Sequence, residues 1–161
     1  MSEQTRHPKI EERINAVLTG DMRENALEFV DFLYANDFVL QERDEDGQGW
    51  NVIYGGGLTN CIYFDIAGIE FVINFCTRDF DSDDIDDSGL MEFAWTHTVV
   101  CPHGCGESEI CEKSQKNVKI FNKRYENICI SPLQIFNPND KDLAFTKKLI
   151  LILKQNRDVN L

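Results

Sequence analysis

The chain has 161 residues, a hydrophobic fraction of 42% and a formal net charge of −12. This length suits one globular domain with a core of sufficient size, and the apolar content excludes a disordered chain. The negative charge argues against a general nucleic-acid binder, because contacts to phosphates need a basic face.

The first elements predicted along the chain are two helices. Ile10 and Ile14 recur at helical spacing in a segment that ends before residue 21. Asp21 followed by Glu24 is typical of a capping box at a helix start. The apolar stripe that follows predicts a second helix, which continues to about Asn36.

Four strands are predicted after these helices. Residues 38–43 and 50–56 flank a glycine-containing turn, which indicates a hairpin. Residues 61–68 and 69–76 alternate apolar and polar side chains, with Ala67–Gly68 as a two-residue turn between them. We therefore expect an antiparallel sheet of about four strands, with one face packed on helices and one face partly solvated.

A polar, aspartate-rich loop over residues 77–89 separates this sheet from the second half of the chain. Ser88 is the predicted N-cap of a helix that reaches about Val100. Residues 101–111, which we call the cysteine loop, would then begin at the C-terminal end of that helix.

The remaining elements are a short strand pair and a C-terminal helix. The strands are predicted near residues 118–121 and 125–130. Asn137 as the N-cap and Pro138 as the first helical residue, with Asp140 at the third helical position, predict the start of an amphipathic helix. The fold class predicted for residues 1–161 is a single α+β domain with N-terminal, middle and C-terminal helices and a cysteine-rich loop.

The cysteine loop, CPHGCGESEIC, is the sharpest chemical signal in the sequence. It contributes Cys101, Cys105 and Cys111, and Cys129 follows 18 residues after the last of these. Four thiolates that converge tetrahedrally form a structural zinc site, and His103 is an alternative fourth ligand. Four thiolates can equally hold an iron–sulfur cluster, so that cofactor stays an alternative.

Two other interpretations of the cysteines remain open. They can be free thiols without a ligand, and packing is the interpretation we favour for Cys61 and Cys76 in apolar strands. Alternatively, Cys101 or Cys105 serves a thiol-dependent enzyme or redox sensor, with His97 as its base. His97 would lie one helical turn before Cys101, but a helix C-terminus disfavours a thiolate.

The acidic half of the chain gives a third interpretation. Residues 1–92 hold 6 basic and 21 acidic side chains, whereas residues 93–161 hold 10 and 7. The aspartates from Asp79 onward do not fit a calcium loop, because Asp84 stands where glycine is needed and Leu90 where glutamate is needed. An acidic cation-binding or metallochaperone-like protein is the function that this charge would serve.

The sequence also predicts a cytoplasmic location and no membrane association. The N-terminus shows no secretory signal, and the apolar run at residues 149–153 is too short to cross a bilayer. Six cysteines in a reducing compartment indicate thiols or metal ligands rather than disulfides. The expected partner is an unidentified small molecule or protein.

From residue 92 onward the chain resembles an uncharacterised family of small cytosolic bacterial proteins from Firmicutes, which have a C-terminal cysteine cluster. The segments that carry the resemblance are EFAW (92–95), the cysteine loop, KIFNKRYENIC (119–129), SPLQIFNPND (131–140) and KKLILILK (147–154). Asn122 and Arg124 depart from the residues that are commoner in the family. The resemblance implies a recurring cysteine site and no particular activity.

These observations together predict a non-enzymatic binding or regulatory domain of unknown ligand. Its structural zinc site would be formed by Cys101, Cys105, Cys111 and Cys129.

Overall fold

A computed structural model describes residues 8–43, 47–54, 62–75, 79–80, 87–100 and 116–159 of the chain. The chain divides into two compact units. Unit 1 comprises Met1–Ile73 with Ile135–Leu161, and unit 2 comprises Asn74–Gln134. Helices and an extended, mainly antiparallel sheet are both present, so the α+β class is confirmed.

The described helices are α1 (Pro8–Val17), α2 (Gly20–Ala35), α3 (Ser88–Thr96) and α4 (Asp140–Val159). None of them is long and apolar enough to cross a membrane. The described strands are β1 (Phe38–Glu42), β2 (Gly49–Tyr54), β3 (Ile62–Ala67), β4 (Glu70–Phe75), β5 (Asp79–Phe80), β6 (Thr98–Val100), β7 (Lys116–Ile120) and β8 (Lys123–Phe136).

The strands are hydrogen-bonded in the order β1-β2-β3-β4-β8-β7-β5, and β6 pairs with β8. The β1–β2, β2–β3, β6–β8 and β7–β8 pairs are antiparallel, whereas β5 runs parallel to β7. The sheet therefore has more strands than the four predicted. The additional strands are short or lie in the second half of the chain, where the alternation of apolar residues is weak.

In unit 1, the two-residue period of the strands separates a buried face from a solvated one. Along β1, Phe38 and Leu40 are buried while Val39 between them is exposed. The same alternation continues through β2 and β3 and into β4 as far as Ile73, so a single face becomes apolar. Its buried members are Trp50, Val52, Ile62, Phe64, Ile66, Phe71 and Ile73.

Phe64 lies at the centre of an aromatic cluster in this core. Its ring centroid is 5.4 Å from that of Trp50 in a stacked arrangement, and 5.7 Å from that of Phe29 at 82°. Phe71 approaches it edge-on at 6.0 Å. Such offset and edge-to-face geometries are the favourable ones for aromatic pairs. Because Phe29 belongs to α2, the cluster joins that helix to the sheet.

Helices α1, α2 and α4 supply the other side of the unit 1 core. Helix α1 contacts β3, and α2 contacts both β1 and α4. Lys147 of α4 forms an ion pair with Glu28 of α2. Lys154 donates a 2.8 Å hydrogen bond to the carbonyl of Asn36, directly after α2, and its ammonium lies 4.9 Å from the ring centroid of Tyr54. A cation at a helix C-terminus complements the helix dipole there.

Asn137 fixes the connection between β8 and α4 in unit 1. Its side-chain Oδ1 accepts a 2.8 Å hydrogen bond from the Phe71 amide, and its own amide donates to the Phe71 carbonyl at 2.7 Å. Its φ of 44° lies in the left-handed region that asparagine tolerates better than most residues. The prediction of Asn137 as the N-cap of the last helix was wrong, because Asn139 accepts the capping bond from the Asp142 amide.

The start of α2 also differs from the predicted capping box. The N-cap residue is Thr19, whose side chain makes no capping hydrogen bond, and Asp21 lies inside the helix. Gly20 adopts a φ of 58°, and the chain enters the helix two residues earlier than predicted. The turn between β3 and β4 is similarly shifted to Gly68–Ile69, because Gly68 takes the positive φ of 59°.

In unit 2, helix α3 rests against the β7–β8 hairpin. The side chain of Asp87, rather than the predicted Ser88, caps the helix by accepting a 3.0 Å hydrogen bond from the Leu90 amide. The Trp95 indole donates a 2.7 Å hydrogen bond to the Ile120 carbonyl at the end of β7. This bond fixes the helix to the hairpin at the point where the strand turns.

The end of α3 is a further correction. The helix stops at Thr96, and residues 98–100 form β6 instead of the last helical turn that was predicted. Thr98 and the two valines after it are β-branched, which favours an extended chain over a helix. The His97 carbonyl already accepts a 3.2 Å hydrogen bond from the Gln134 amide of β8.

Candidate functional site

The two ends of the segment that holds the cysteine loop lie beside the same residue of β8. Val100, the last residue of β6, pairs with Ile128. Lys116, the first residue of β7, pairs with Ile128 as well. The described chain thus ends beside Ile128 at Val100 and resumes beside Ile128 at Lys116, and Cys129 is the next residue after Ile128 in the sequence.

Strand β8 is irregular at this point. Thr98 pairs with Leu133 and Val100 pairs with Ile128, so a step of two residues on β6 lies opposite a step of five on β8. Three residues of β8 are therefore extra, and a bulge must accommodate them. Pro132 belongs to this stretch and has no amide hydrogen for the ladder. Bulges of this kind redirect side chains and are frequent beside functional sites.

The residues that precede two predicted ligands, Cys101 and Cys129, are paired with each other. Cys101 is bonded to Val100 and Cys129 to Ile128, and the latter two residues face each other across a strand pair. Cys101 itself lies outside the described residues, so a site shared by Cys101 and Cys129 stays a prediction.

The predicted ligands themselves lie largely outside the described residues. Cys101, His103, Cys105 and Cys111 belong to the undescribed segment 101–115, and for Cys129 only the backbone, on β8, is described. Cys61 and Cys76, the two cysteines assigned to packing, also lie outside the described residues. Within the described part of the chain, no group of three or more His, Cys, Asp or Glu side chains is placed to hold a metal ion.

His97 is the one described side chain of the predicted thiol site. Its Nδ1 lies 2.8 Å from the Phe93 carbonyl, and because a carbonyl only accepts, Nδ1 carries the hydrogen. The imidazole lies 4.3 Å from the Phe93 ring, which holds it further. In the neutral tautomer the lone pair is then on Nε2, the nitrogen available to a proton or a metal.

The surroundings of His97 differ from the prediction in two respects. The helix ends before His97, so the residue is not one helical turn from Cys101 on a shared helix face. Cys101 follows strand β6 rather than a helix C-terminus. The helix dipole consequently gives no argument against a thiolate at Cys101.

Lys123 forms a second cluster in unit 2 that the sequence did not reveal. Its ammonium lies 5.6 Å from the ring centroid of Trp95 and 5.4 Å from that of Tyr125. Cation–π contacts of this length are favourable and hold the lysine between the two rings. They bring together residues of α3 and β8 that lie far apart in the sequence, so no local pattern could have indicated them.

An open cleft of about 510 Å³ lies in unit 1 where α2 and α4 begin. Asp21 and Asp140 line it, and Asn25 donates a 3.0 Å hydrogen bond across it to the Pro138 carbonyl. The capping bond of Asn139 ties the same wall to the start of α4. The side-chain amides of Asn25 and Asn139 thus stabilise the start of α4. The periodicity of the sequence did not predict this cleft.

Within the aspartate-rich loop, the structure describes the side-chain contact of one aspartate, Asp87. Asp87 is engaged as the N-cap of α3, which gives that carboxylate a structural role. Residues 81–86, with four of the aspartates, lie outside the described residues. The acidic cation-binding interpretation stays a prediction.

No protein-family model matches the chain, and the searches of curated proteins and of solved structures found no match either. The resemblance to a Firmicutes family therefore stays a prediction.

Proposed function

We propose that this protein is a non-enzymatic binding or regulatory domain of the cytoplasm, with a structural zinc site formed by Cys101, Cys105, Cys111 and Cys129. The observation that carries the proposal is the pairing of Val100 and Lys116 with one residue, Ile128. The proposal places Cys101, Cys105 and Cys111 beside the strand that carries Cys129. The ligand or protein partner is of unknown chemistry.

The chemistry of the four side chains fits zinc. Zn²⁺ prefers thiolates in a closed tetrahedral arrangement, with Zn–S bonds of about 2.3 Å. Gly104 and Gly106 on either side of Cys105 allow the tight turns that bring sulfurs together. Such a site would fix the cysteine loop to the bulged part of β8, where the ladder with β6 is incomplete, and would add folding free energy there.

The test is the metal content of the full chain purified without a chelator. We expect one zinc per chain, and loss of that zinc in each of the four single Cys→Ser variants at positions 101, 105, 111 and 129. Cys76→Ser is the matched control, because it removes a thiol from a predicted packing position and should leave the zinc content unchanged.

Other results of the same measurement distinguish the alternatives. One or more iron atoms per chain with sulfide would assign an iron–sulfur cluster to the same ligands. Loss of zinc in His103→Ala, with zinc retained in Cys129→Ser, would make His103 the fourth ligand. Absence of any stoichiometric metal would contradict the proposal.

A second candidate function, thiol chemistry, is supported by the orientation of His97. With Nδ1 bonded to the Phe93 carbonyl, Nε2 is the nitrogen that would accept a thiol proton, which in this candidate comes from Cys101 or Cys105. The thiolate would then attack an electrophile such as iodoacetamide, forming a C–S bond and releasing iodide. Fast labelling of a single cysteine near neutral pH, slowed by His97→Gln, is the expected result; uniformly slow labelling excludes this candidate.

A further inference from the structure

We draw no further inference here: the strongest candidate, the open cleft of unit 1 where α2 and α4 begin, is formed by two helix N-termini with Asp21 and Asp140, and its buried Asn25 already donates to the Pro138 carbonyl, so nothing in the described part of the chain points to a ligand there.

Discussion

The strand ladders of unit 1 and unit 2 are built differently. From Phe38 to Glu42, β1 pairs with β2 one residue for one residue, and the β2–β3 register is equally continuous. In unit 2 the β6–β8 and β7–β8 registers both shift, on either side of Ile128. Unit 1 has a continuous ladder over an aromatic core, whereas the ladders of unit 2 are interrupted on either side of Ile128, the neighbour of Cys129.

This difference indicates where each unit obtains its stability. A regular sheet with a buried face needs no further support, because alternate side chains enter one core. An interrupted ladder leaves backbone groups of the bulge to be satisfied otherwise, and each unsatisfied group is costly when buried. A metal bound beside the bulge is one physical way to offset that cost. We therefore expect the stabilities of the two units to respond differently to metal removal and to substitutions.

Removal of the proposed metal should give the largest difference in local stability between the two units. We expect a strong chelator to accelerate exchange of the Gln134 amide, which is bonded to the His97 carbonyl next to β6. The Ile66 amide, which is bonded to the Gln48 carbonyl in unit 1, should exchange at its former rate. Structural zinc contributes about 10–16 kcal/mol in zinc-finger peptides, so the effect in unit 2 should be large. Equal acceleration of both amides would contradict separate sources of stability.

Phe64→Ala should be the most damaging single substitution in unit 1. It removes the ring at the centre of the aromatic cluster and leaves a cavity, which costs about 3–5 kcal/mol of unfolding free energy. Urea denaturation followed by tryptophan fluorescence measures the loss, because Trp50 stacks on Phe64. Phe136→Ala is the control, since this side chain is 56% exposed and its removal should cost little.

Asn25→Ala tests how much the hydrogen bond from Asn25 to the Pro138 carbonyl, just before α4, contributes to stability. Asn25 is only 6% exposed, and its loss leaves the Pro138 carbonyl without its donor. The expected cost is about 1–3 kcal/mol, measured by urea denaturation. Asn36→Ala, which removes a less buried side-chain bond to the Phe32 carbonyl, should cost less. A larger cost for Asn36→Ala would show that burial does not set the size of the effect.

Helix caps provide a direct comparison between the two units. Asp87 accepts a capping bond in unit 2, whereas the Thr19 side chain in unit 1 makes none. We expect Asp87→Ala to lower the unfolding free energy by about 0.5–2 kcal/mol and Thr19→Ala to change it little. Thermal unfolding of the two variants measures both values. Similar losses would mean that Thr19 contributes through another contact.

The hairpin turns give the smallest expected effect. Phe121 and Asn122 both have positive φ, at 44° and 66°, in a two-residue turn that favours glycine at its second position. Asn122→Gly should therefore stabilise the protein by about 0.5 kcal/mol. Gly68→Asn, at a φ of 59° in unit 1, should have the opposite sign. Thermal unfolding that moves in the same direction for both variants would contradict this account of the turns.

Much of unit 1 was predictable because its signals are local and periodic. The stripe in α2 and the alternation of Ile62, Phe64 and Ile66 with polar residues are properties of short segments. The errors there are shifts of one or two residues, at Gly20, Gly68 and Asn137. In each case the backbone uses a positive φ or a distant hydrogen bond that the sequence pattern does not contain.

Unit 2 was less predictable for a physical reason. The pairing of Val100 and Lys116 with Ile128 depends on segments far apart in the chain, and a bulge hides the alternation on which strand prediction depends. Strand β8 also continues through Pro132, a residue that lacks an amide hydrogen and is uncommon inside strands. The sequence could nominate the four cysteines as ligands from their chemistry, but it could not show that the strand before and the strand after the cysteine loop share one neighbour.

The reciprocal hydrogen bonds between Phe71 and Asn137 have a consequence for synthesis on the ribosome. Unit 1 is discontinuous in the chain, so its residues up to Ile73 emerge before the segment from Ile135 that completes it. At about 5–20 residues per second, the chain between them takes roughly 3–12 seconds to appear. During that time the Phe71 amide and carbonyl lack their final partners. The nascent chain thus carries an apolar strand with an open edge, a species that chaperones bind.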